Sequence, residues 1–183
     1  GMTFNHFFRN PCCNLIKIKQ TLFFSGASEE GFRDDSGVDQ QKVSWLYSYL
    51  AGSGVELDGG FTRTNLNQET AGFLPGDEAY KNASLRKTNA NPEAYRDSKS
   101  LRLWTSISLS RSAWDLVLTP YWRDVDMSFI QHFLPGQPTE SFQHSSFGIQ
   151  TAGHRQLFNG AQLALGLDLE STDASLQQVQ PNP

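Results

Sequence analysis

The clearest pattern in the chain lies near its end, where Ala161, Leu163, Leu165, Leu167 and Leu169 alternate with Gln162, Ala164, Gly166, Asp168 and Glu170. A helix would scatter those leucines around its circumference; a strand puts them all on one face. The same period of two recurs upstream. Val43, Trp45, Tyr47 and Tyr49 oppose Lys42, Ser44 and Ser48, and Val55, Leu57, Gly59 and Phe61 oppose Glu56, Asp58 and Gly60. Leu101, Leu103, Thr105, Ile107 and Leu109 oppose Arg102, Ser106 and Ser108, and Phe147, Ile149 and Thr151 oppose Ser146, Gly148 and Gln150. The pattern predicts about seven strands, over roughly 15–27, 41–50, 55–66, 100–110, 115–131, 143–157 and 161–170, and no helix. The fold class expected is all-β, an antiparallel up-and-down meander.

Alternation alone leaves the partner of the apolar face open. It packs on a second sheet in a soluble sandwich and on lipid in a membrane barrel. The connections separate these readings, because they alternate in length. Ala51 to Gly54, Arg111 to Trp114 and Phe158 to Gly160 read as tight turns, whereas about 28–41, 67–99 and 132–143 read as long loops. Short turns at one rim and long loops at the other is the outer-membrane arrangement. A loop of some thirty residues is unusual in a compact soluble domain. Aromatic residues also gather near the short turns, namely Trp45, Tyr47, Tyr49, Trp104, Trp114, Tyr121 and Trp122. Interfacial girdles use such rings, although β-propensity favours them equally.

Composition narrows the picture further. Of the 183 residues 38% are hydrophobic, and no apolar run approaches the length of a transmembrane helix. A net charge of −4 offers no basic stripe for nucleic acid. The adjacent Cys12 and Cys13 are poorly spaced for a disulfide and too few for a zinc site. His6, His132, His144 and His154 have no metal-ligand spacing, and no cofactor is expected. His144 beside Ser145 and Ser146, with Asp124 or Asp126 to orient it, is the one arrangement hinting at a hydrolase. Neighbours on a strand point to opposite faces, so no catalytic role is assigned to His144 and Ser145. Asn82-Ala83-Ser84 matches a glycosylation sequon, a short motif that carries little weight alone. No signal peptide opens the chain, so an exported protein would be missing its natural N-terminus here, and Gly1 before Met2 has the look of a cloning remnant.

The segments GFRDDSGVDQQK (Gly31 to Lys42), TNLNQETAGFLPGDEAYKNASLRKTNANPEAYRD (Thr64 to Asp97) and LTPYWRDVDMSFIQHFLPGQP (Leu118 to Pro138) resemble the barrel of TonB-dependent outer-membrane receptors. The resemblance covers roughly Gly31 to Glu170. It implies a bacterial outer-membrane location, a parent barrel of about 22 strands holding a plug domain, energy from TonB, and import of a ferric siderophore or another scarce nutrient. No plug, TonB box or aromatic C-terminal assembly strand is seen in this sequence. Residues 1–14 stay unassigned, and 171–183 read as a polar tail belonging to an external loop. Outer-membrane lipid would be the other partner.

A ligand of that kind is often anionic and partly aromatic, so loop cations and rings suit it. The candidate ligand-binding residues are Arg33, Tyr80, Lys81, Arg86, Tyr95, Arg96, His132 and Phe133, with Phe73, Lys87 and His144 nearby in sequence. They serve equally well to fold the loops or to touch lipopolysaccharide. Arg102, Asp168 and Glu170 fall on the polar face, either against a plug or satisfying one another across the wall. The alternative reading is a soluble β-sandwich or small-barrel binding module without transport.

Overall fold

In a computed structural model of the chain, residues 2–9, 15–51 and 54–181 are described. They form one antiparallel sheet with strands in sequence order: β1 (Met2–Arg9), β2 (Leu15–Glu29), β3 (Val38–Ala51), β4 (Val55–Glu69), β5 (Tyr95–Arg111), β6 (Trp114–Ile130), β7 (Thr139–Gln156) and β8 (Gln162–Val179). The seven expected strands are β2 to β8. The eighth is β1, in a segment where alternation predicts no strand, and it pairs along its whole length with Leu15–Leu22. Cys12 and Cys13 lie outside the described residues. The sheet does not close on itself: β1 and β8 each keep one edge without a strand among the described residues.

The strands outrun the expectation mainly at the long-loop end. The loops shrink to 30–37, 70–94 and 131–138, and β8 continues through Ser171 to Val179, paired with Thr139–Phe147. These extensions carry polar residues on both faces. Ladder hydrogen bonds need no apolar face, so hydrophobic alternation ends before the strand does.

Register puts every alternating apolar set on the same face. Leu22 stands opposite Trp45, then Phe61, Leu103, Trp122 and Phe147 follow in line, and the row ends at Ser171. From this row toward the short turns, β3 to β8 place no charged side chain on that face over three further steps; Leu57, Ile107, Leu118, Thr151 and Leu167 form one of them. A final row of Arg111, Trp114, Arg155 and Leu163 ends the band. On the long-loop side the same face turns polar, with Arg63, Lys99, Asp97, Asp124, Asp126 and Asp173. Trp122 and Trp114 mark the two limits on β6, eight residues or about 26 Å apart along the strand.

The other face is mostly small or polar, with Ser44, Gly60, Thr62, Ser106, Thr119, Ser146 and Gly148 along it, and Leu46, Trp104 and Tyr121 lie over its glycines. Among the described residues nothing covers the apolar face. The buried hydrophobic residues among those described are Ala79 and Ala94, both in the 70–94 loop. Leu165, Leu167 and Leu169 are 57–66% exposed.

Candidate functional site

The three long loops meet at one end of the sheet, and Arg33 joins two of them. Its guanidinium donates to the Thr88 carbonyl through Nε (2.9 Å) and Nη2 (2.6 Å), and through Nη1 to the carbonyl of Gly72. Asp34 N–H donates to Lys87 O at 2.8 Å, and the Asn89 side-chain amide donates to Asp35 O at 2.9 Å. The 30–37 loop is therefore bonded to the 70–94 loop through both backbone and side chains. His132 borders the same junction: a Cβ at Gly72 would sit 3.3 Å from its Cδ2. Its ring meets Phe133 edge to face, centroids 5.7 Å apart.

The candidate residues thus divide by role. Arg33 is occupied in holding loops together. Arg86 and Lys87 lie over the Phe32 ring at 6.0 and 5.9 Å. Lys81 pairs with Glu78 at 2.5 Å and lies 5.8 Å over Tyr80, in the short 3-10 turn Ala79–Lys81, which buried Ala79 anchors. Phe32 and Tyr80, beside these cations, and Phe73 and Phe133 in the same loops each present more than 60% of their surface to solvent. Tyr95 and Arg96 do not belong to a loop. They open β5 and point to opposite faces, Tyr95 toward Ser128 Oγ (3.2 Å) and Arg96 over the Phe129 ring (5.8 Å). Phe32 joins the candidates only through the structure, although it lies within the receptor-like segment Gly31 to Lys42 and precedes Arg33.

A second cluster forms on the polar face. Glu170 accepts from the Tyr121 hydroxyl, from Arg123 Nη2 (2.5 Å) and from Thr172 Oγ1 (3.1 Å). Ser146 is 1% exposed; its Oγ lies 2.9 Å from Thr172 Oγ1 and 2.7 Å from His144 Nε2. His144 is thus part of the sheet, bonded to Ser146 two residues on rather than to Ser145. Glu170 takes Arg123 as its partner, while Arg102 stands directly opposite Arg123 in register.

Gly148 makes room for this cluster. A Cβ there would lie 2.3 Å from Tyr121 Cζ, so the tyrosine ring reaches Glu170 only by crossing a bare backbone. Gly148→Ala is expected to displace that ring and to lower stability by roughly 1–3 kcal/mol. Tyr121→Phe, which removes only the hydroxyl bond, should cost about 1 kcal/mol. Urea midpoints of the two refolded variants test the order; a larger loss for Tyr121→Phe would refute the steric account.

Among the described residues no group of three or more His, Cys, Asp or Glu side chains is placed to hold a metal ion. No helix of the described residues is long and apolar enough to cross a membrane, which says nothing of strands. No protein-family model matches the chain, and no curated protein matches it.

Proposed function

We propose that the chain is a stretch of wall and outer loops from a transmembrane β-barrel that imports a scarce nutrient across a bacterial outer membrane, as its resemblance to TonB-dependent receptors implies. The observation that carries this reading is the charge-free band on the apolar face. Along β6 it runs from Trp114 to Trp122, nine residues, within the roughly 9–11 that a tilted strand needs to span a bilayer, and tryptophans stand at both limits as interfacial rings do. Trp122 donates its indole N–H to Ser145 on the polar side of its limit, at 3.1 Å.

The band also runs obliquely to the register. The row from Phe24 through Val43, Arg63, Leu101, Asp124 and Ser145 to Asp173 is apolar on β2 and β3 and polar from β6 onward, and Asp173 lies four residues beyond the last band leucine, Leu169. The short turns slide in the same sense, as Ala51 pairs with Val55 one step nearer the band than Arg111 pairs with Trp114. Tilted strands crossing a level membrane produce such a slide, because a flat boundary cuts each successive strand at a shifted residue. In this reading the polar face lines the lumen and the joined loops stand outside the cell. The exposed rings and cations there, Phe32, Tyr80, Phe133, Arg86 and Lys87, suit a partly aromatic, anionic ligand such as a ferric siderophore.

The test is refolding of the full chain from urea, with and without phosphatidylcholine vesicles. Association with the vesicles and a β-type circular dichroism spectrum that forms only with lipid or detergent is the expected result. A monodisperse, β-rich species in buffer alone would overturn the proposal in favour of a soluble binding module.

A further inference from the structure

The apolar band is not uniformly filled. In the row Leu116–Gly153–Leu165, Gly153 contributes no side chain, and its neighbours leave a groove of about 510 Å³. Leu109, Leu116, Leu118, Leu163, Leu165 and Leu167 line it, with Trp114 at the end near the short turns. The groove therefore runs along the strands within the charge-free band and ends at that band's boundary.

Charge stands at this end. Arg155 lies 4.7 Å over the Trp114 ring, and Arg111 is directly opposite Trp114 on the neighbouring strand. Two arginines thus flank one indole, side by side across β5, β6 and β7, on the same face as the groove. Elsewhere on that face the boundary near the long loops is dominated by aspartates. Cations at the foot of an apolar groove match a ligand with an anionic head and a hydrocarbon tail. Arginine suits a phosphate in particular, because its planar fork bonds two oxygens at once. Aromatic stacking also holds the Arg155 guanidinium in place before a ligand arrives.

We infer that this groove is a binding site for a single phospholipid, one acyl chain lying between Leu116 and Leu165 over Gly153 and the phosphate bound by Arg155 and Arg111. The inference rests on the lipid-facing reading of the apolar face and adds a site to it. The lipid comes from the leaflet at the short-turn rim and serves as a fixed part of the wall there.

The test uses the full chain in dodecylmaltoside micelles, which carry no phosphate. Trp45, Trp104 and Trp122 are changed to Phe so that Trp114 reports alone. Phosphatidylglycerol brominated on one acyl chain is titrated in, and quenching of Trp114 is followed. Quenching should saturate at a few lipids per protein. Arg111→Gln with Arg155→Gln should raise the half-point about tenfold or more, the scale of one lost charge-assisted bond. Gly153→Leu fills the groove and should abolish saturation; its Cβ would meet only the flexible end of Leu116, at 3.1 Å. Circular dichroism confirms that each variant keeps its strands; if Gly153→Leu does not, the arginine variant still decides. Quenching that rises linearly and equally in all variants would overturn the site, as would equal half-points for a brominated diacylglycerol lacking phosphate. Because the titration is done in micelles, failure of vesicle insertion would count against the barrel and leave this readout intact.

Discussion

Arginine in place of Leu167 is expected to destabilise the lipid-bound chain by about 2–4 kcal/mol, the penalty for a cation near the middle of a lipid-facing barrel band. Leu167 lies in the central step of the charge-free band, on β8, opposite Thr151 and with 57% of its surface open. The control is Ser175→Arg on the same strand and the same face, eight residues further along and beyond the band. There the cost should fall to about 0–1 kcal/mol. Urea unfolding from phosphatidylcholine vesicles, followed by tryptophan emission, measures both. The contrast matters more than either value. If the face is bathed in water, both positions are simply exposed and both substitutions should be nearly silent. Equal effects would therefore sink the membrane reading, however large they proved to be.

Much of the sheet is legible in the sequence, and the reason is local. A strand with one apolar face writes its period of two directly into consecutive residues, as Leu163 to Leu169 do. Register is not legible, since a slip of one residue turns a strand over and nothing within a single strand forbids it. Only the pairing of Trp45 with Phe61, and of Trp122 with Phe147, shows that separate apolar sets form one band. The outer half of β8 reads as a tail in sequence because Ser171, Thr172, Asp173, Ala174 and Ser175 carry no alternation. Its pairing with β7 holds it as a strand regardless. Tyr95 and Arg96 read as loop residues because Asn, Pro and Glu precede them, yet they begin β5. Glu170 falls on the polar face as its alternation implies, but its partner is hidden: β6 carries charges on both faces, so alternation gives no reason to single out Arg123.

The loop junction lies furthest from sequence reasoning. Arg33 bonds backbone oxygens 39 and 55 residues away, and a carbonyl carries no residue-type signal. This makes Arg33→Ala the second large expected effect. The guanidinium makes three bonds to two carbonyls, one part-buried and the others exposed, so the net loss should be about 2 kcal/mol rather than the sum of three charged bonds. That loss falls on the joined loops and not on the wall, because no strand residue takes part. Limited proteolysis within 70–94 should quicken by roughly thirtyfold, which corresponds to that free energy when cleavage tracks the population of opened loop. The urea midpoint of the lipid-bound sheet should stay within about 0.5 kcal/mol of the parent. Arg33→Lys should recover little, since a point charge cannot reach the Gly72 and Thr88 carbonyls together as a planar fork does. Unchanged proteolysis in the alanine variant would show that the loops hold their shape without the clasp. Arg33 would then be free for the ligand contact that its sequence position implies.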